Sequence, residues 1–163
     1  MSLPLGTSID PQNYITTSLT LMHEFLSEFF TVANNFDAQI ETVEQELTNP
    51  LPKPVIHFAI NGGDTQKMGG VDLNAGNDVR GDFKDLIWSI RIVTDDNSGG
   101  ALALSKYGGF LDHVFRVNDH YLASKGLRKN VLSPPIDNSL DAFYQKFFTL
   151  NNRLLLTWTL ADA

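Results

Sequence analysis

The stretch from residue 83 to residue 94 limits the possible folds more than any other part of the chain. In an extended strand successive side chains point to opposite faces. Leu86, Trp88, Ile90 and Ile92 therefore share one face, and Ile87, Ser89, Arg91 and Val93 share the other. Both faces are largely apolar, so the pattern predicts a strand central in its sheet. Such a sheet needs cover, and the amphipathic segments on either side supply it.

Asp10-Pro11 reads as a helix start, because Asp is a favoured cap and Pro suits a first turn whose N–H has no partner. Ile15, Leu19, Met22, Leu26, Phe29 and Ala33 then recur at helical spacing. Leu21, Phe25, Phe30 and Val32 widen this stripe beyond what one core requires. Either the helix is wedged inside the chain, or Leu21, Phe25 and Val32 also serve a subunit interface. Asn34-Asn35 ends it. Ile40, Val43 and Leu47 suggest a weak second helix, and the prolines at 50, 52 and 54 stop it.

Residues 55–60 read as a short strand, and residues 61–82 as a flexible Gly/Asp-rich loop that leads into the central strand. A second long helix follows over 104–121, with Gly108-Gly109 inside it and Gly126 closing the segment. Residues 127–132 are extended, and Pro134-Pro135 interrupts the chain after them. Residues 140–148 fit helix and strand alike; the Asn151-Asn152 turn after them, joining them to the alternating 153–160 strand, favours strand. The expected fold is a single α+β domain over residues 1–163, with residues 1–9 as an N-terminal extension. Its sheet is mostly antiparallel, with about four to five strands, and two long helices flank it.

The chemistry that the sequence supports is limited. A phosphate loop needs Lys-Ser/Thr after its last glycine and a helix beyond it. Gly62-Gly63 and Gly69-Gly70 have neither, and Asp64, Asp72, Asp78 and Asp82 outnumber Lys67 and Arg80. The run from Asp72 to Asp78 opens like a calcium loop but puts Gly76 at a ligand position and supplies no closing Glu. Arg80-Gly81-Asp82 is a three-residue match to an adhesion motif and carries no weight. Asp112-His113 and Asp119-His120 repeat at seven residues, yet they share the polar side of their helix with Arg116, as a solvated face does. The absence of cysteine removes disulfides and thiolate chemistry. No catalytic set, cofactor site or metal site emerges, so the chain is expected not to be an enzyme.

A net charge of −7 disfavours a partner held through its phosphates. No apolar run approaches the ~20 residues of a membrane span, so no membrane partner is expected.

The order of these elements resembles the tail-terminator and tail-completion proteins of long-tailed bacteriophages, over residues 11–160. The likeness rests on the capped first helix, the proline-rich connection at 49–54, the strand at 55–60 and the long insert after it. The central strand, the 104–121 helix and the closing strand complete it. The resemblance implies a ring, most simply a hexamer, that caps the tail tube, halts its polymerisation and joins the tail to the neck. It implies a virion protein assembled in the host cytoplasm, with DNA passing the lumen without specific binding. Asp64, Lys67, Asp72, Asp78, Arg80 and Asp82 would then touch a neighbouring subunit or line the channel. The competing expectation is a cone-shaped α+β ligand binder or enzyme, with an apolar pocket lined by Trp88, Trp158, Phe143 and His57.

Overall fold

The structure is a computed structural model that describes residues 9–42, 47–67, 79–140 and 143–159. It is α+β, with a six-stranded, mostly antiparallel sheet packed against helices. The chain enters through a 3-10 turn, Pro11–Asn13, whose first N–H groups are capped as the sequence predicts: Asp10 Oδ1 accepts from the Gln12 N–H at 3.0 Å. Helix α1, Tyr14–Phe29, buries Leu21, Met22, Phe25, Leu26 and Phe29 along one face. It stops earlier than its apolar pattern suggests. The Asn34 side chain donates to the Phe29 carbonyl at 2.9 Å, and Asn35 turns the chain with a φ of +61°. Asn tolerates that left-handed conformation better than most residues.

Strands β1 (Gln39–Glu41), β2 (Val55–Lys67) and β3 (Val79–Asp95) precede helices α2 (Gly100–Val117) and α3 (Asp119–Ser124). Strands β4 (Arg128–Leu132), β5 (Ile136–Leu140) and β6 (Phe143–Thr159) complete the fold. The sheet runs β1-β2-β3-β6-β4, with β5 also pairing β6, and only β1–β2 is parallel. As expected, β3 is central: β2 pairs one side of it and β6 the other. Leu86, Trp88, Ile90 and Ile92 join Ile56 and Phe58 of β2 and Phe148, Leu150 and Leu154 of β6 on the helix-covered face. Against them pack the α1 stripe and Leu104, Leu111, Val114 and Phe115 of α2. Each such side chain contributes about 1.5–3 kcal/mol on burial.

Gly108 sets the distance between α2 and the sheet. A Cβ there would lie 2.7 Å from Lys146 Cδ and 3.3 Å from Phe148 Cζ, so a bare backbone is what lets the helix close down on β6.

The sheet has six strands where about four to five are expected, because 136–140 adds a strand on β6 and Gln39–Glu41 one on β2, and four further expectations need correction. Ile40 lies in β1, not in a second helix; Gln39 donates to the Pro54 carbonyl at 2.9 Å and the strand continues beside Val55–His57. Val43 of that expected helix lies outside the described residues. The second long helix is two helices: at Asn118 the backbone leaves the helical region, with φ −106° and ψ 17°, and the side-chain amide donates to the Val114 carbonyl at 2.9 Å. Asn151-Asn152 is no turn: β6 runs straight through it, and Asn152 Oδ1 instead accepts from buried Trp88 Nε1 at 3.3 Å. Finally, much of 61–82 is not a loop. β2 continues to Lys67, β3 begins at Val79, and Lys67 stands opposite Asp82.

The face of the sheet away from the helices has a small core of its own. Leu51, Val55 and Val93 are buried there beneath the proline segment, with Leu47 and Phe143 beside them. Asp95 anchors the segment. Its carboxylate accepts from the Leu51 N–H at 2.7 Å and from the Ser98 N–H and hydroxyl at 2.9 Å each. Burial alone would raise this carboxyl's pKa, but these donors together hold it below the ordinary value.

Candidate subunit contact surface

Beyond the Leu51 patch, no helix among the described residues covers the sheet's second face. Alternation places Ser89, Ile87 and Asp85 of β3 on it, between Ala59 and Asp64 of β2 and Thr149, Asn151 and Arg153 of β6. Ile87 is 42 % exposed, Val131 of β4 is 61 % exposed, and Ile136 of β5 is 70 % exposed. These apolar side chains lie on three strands of one sheet face, where a neighbouring subunit could remove them from water together.

One row of charge crosses this face. Asp64 stands opposite Asp85, Asp85 opposite Arg153, and Arg153 opposite Arg128. The middle pair is bidentate: Arg153 Nε donates to Asp85 Oδ1 at 2.6 Å and Nη2 donates to Oδ2 at 3.0 Å. The Arg153 guanidinium also lies 5.3 Å over the Phe83 ring. The hydrogen bond from Arg153 holds Asp85 below the usual carboxylate range, assisted by the charges of Arg153 and Lys129, and the same bond raises Arg153. A hollow of about 430 Å3 opens at this row, lined by Asp64, Asp85, Ile87, Lys129, Asn151 and Arg153.

The residues singled out from the sequence do not form one cluster. Asp64 is exposed on β2, and its Oδ1 accepts from the Thr65 N–H at 2.8 Å. Asp82 is half-buried on β3, with its carboxylate 4.0 Å from Lys84 Nζ. Lys67 and Arg80 take their places in the ladder opposite Asp82 and Trp158. Asp72 and Asp78 lie outside the described residues. The expected interface stripe on the first helix is corrected: Leu21 and Phe25 are fully buried in the chain's own core. Val32 falls in the turn after α1 and is 73 % exposed.

The pocket of the competing reading is not assembled either. Trp88 is buried under the helices, Phe143 belongs to the Leu51 patch, and His57 sits on the opposite face of β2 from Phe58. His113 and His120 are exposed on separate helices, and Asp119 is engaged by the Asn130 N–H and side-chain amide. Among the described residues no cluster of three His, Asp or Glu side chains could hold a metal, and no helix is long and apolar enough to cross a membrane. Asp85, Arg153 and Arg128 carry no signal in the linear sequence, because only strand register brings them into one row.

Comparison of the chain with protein-family models and with curated proteins returns no match.

Proposed function

We propose that this chain is a structural, non-catalytic subunit that assembles into a ring of the phage tail-terminator kind. The ring, most simply a hexamer, sits at the head-proximal end of the tail tube, ends its polymerisation and joins it to the neck. The observation that carries this reading is the uncovered upper half of the second sheet face, with Ile87, Val131 and Ile136 exposed on it. A face of this kind is stabilised when a neighbouring subunit removes it from water, at roughly 25 cal/mol per Å2 of apolar area.

Two further features support the same reading. The Gly/Asp-rich segment is strand-paired out to Lys67 and Asp82, which supports a contact with a neighbour or a channel made without ordering those residues anew. The net charge of −7 suits a channel that DNA passes without being held. The proposed partners are other copies of the chain, the tail tube and the neck, in a virion assembled in the host cytoplasm.

The test is electron microscopy of purified protein, alone and added to a polymerising phage tail-tube protein. Rings with a central channel, and tubes that stop growing with a ring at one end, are expected. Unchanged tube growth in the presence of assembled rings would overturn the terminator role.

A further inference from the structure

We propose that copies associate head to tail through the two ends of the charge row, with Arg128 of one copy set against Asp64 of the next. The inference rests on the ring reading and names the contact that would build it.

Across the sheet the row reads Asp64, Asp85, Arg153, Arg128, two negative charges followed by two positive ones. The inner pair is satisfied by its bidentate contact. The outer pair is not arranged for the isolated chain. Asp64 faces another carboxylate and Arg128 another guanidinium, and like charges directly opposite one another destabilise a sheet. Both outer side chains are exposed. At this level they also stand on the outermost strands. Beyond His57, β2 has no partner on its outer side among the described residues, since β1 reaches only that far, and β4 ends the sheet on the other side. A second copy placed beside the first therefore brings the positive end of its row to the negative end of this one, at matching height.

The symmetry follows from the polarity of the row. Edge to edge, a two-fold contact would set Asp64 against Asp64 or Arg128 against Arg128 and repeat the repulsion. Between edges, a head-to-tail contact alternates the signs, and such contacts close into rings or run on as filaments.

The contact is carried by side chains rather than by continued strand pairing. The Asn130 N–H of β4 already donates to Asp119, and both outer strands shift register here, between Ile60 and Gly62 in β2 and between Arg128 and Val131 in β4. Irregular edges resist indiscriminate pairing and leave the choice of partner and height to the charges.

The test uses the full chain with two exposed substitutions, Asp64→Lys and Arg128→Glu, each checked by circular dichroism and thermal unfolding for a native fold. Native mass spectrometry and light scattering should show wild-type assembly and at least about tenfold weaker assembly of either variant alone, because each then carries the same sign at both ends. Mixing the two variants in equal amounts should restore assembly, with the copies alternating and an even number in each particle. Added salt should weaken the wild-type contact. Single variants that assemble like wild type, or a mixture that stays apart, would overturn the contact while leaving a ring possible by another surface. A wild-type chain that stays monomeric would overturn both.

Discussion

Gly108 and Gly109 are neighbours in α2, and the structure gives their replacement by alanine opposite signs. In a helix interior Gly is about 1 kcal/mol less favourable than Ala. A Cβ at Gly109 meets nothing within 4 Å, so Gly109→Ala should realise that gain. It should raise Tm by roughly 2–4 °C in a domain of this size. At Gly108 the same Cβ would lie 2.7 Å from Lys146 Cδ and 3.3 Å from the Phe148 ring. Lys146 is nearly buried, with its Nζ 3.5 Å from an Asp137 carboxylate oxygen, so it has little room to retreat. Overpacking of this kind costs about 1–3 kcal/mol. Gly108→Ala should therefore be neutral to about 2 kcal/mol destabilising, and the two variants should differ by about 1–3 kcal/mol. Urea unfolding followed by far-UV circular dichroism measures both. A Gly108→Ala chain stabilised as much as Gly109→Ala would mean that α2 does not approach β6 as described, and the packing argument would fail.

Other expectations follow from single contacts. Asp95→Asn replaces an acceptor facing the Leu51 N–H or the Ser98 donors by an NH2 group and should cost about 1–3 kcal/mol at neutral pH. Because the folded carboxyl of Asp95 titrates below the ordinary carboxylate range, its stabilisation is complete above that range and is lost as pH falls through the folded pKa. The gap between wild type and Asp95→Asn, read from Tm across an acid series, should close there. Asn152→Leu removes the acceptor of Trp88 Nε1 inside the core and should lower stability by about 1–3 kcal/mol in urea titrations, although the new side chain is more apolar. Arg153→Gln breaks a pair that is only partly buried, so it should cost less than about 1 kcal/mol in the isolated chain.

The parts of the fold that were legible in the sequence are those where one residue pattern has one physical outcome. Alternation over Leu86–Ile92 required a central strand, and the Asp10-Pro11 pair required a helix start; both are present. Misreadings occurred where composition stood in for backbone geometry. Glycines and aspartates suggest a loose loop at 61–82, but over 61–67 and 79–82 strand pairing uses backbone N–H and C=O groups that every residue but proline supplies in full. Asn151-Asn152 resembled a turn because nothing in the sequence shows that Trp88 needs an acceptor there. Ile40 matched a helical spacing by being near Val43 and Leu47, whereas its place is decided by the strand beside it. The charge row was out of reach for a related reason: Asp64, Asp85, Arg153 and Arg128 come from four strands, and register alone aligns them.

The central claim is that this chain builds a closed ring through its uncovered sheet face and polar edges. Native mass spectrometry of the wild-type protein over a range of concentrations tests it most directly. The account predicts one closed species whose mass is a fixed multiple of 18.1 kDa, most simply six copies, and which salt dissociates. A species of 18.1 kDa at every concentration, or a two-fold dimer that grows no further, would contradict it.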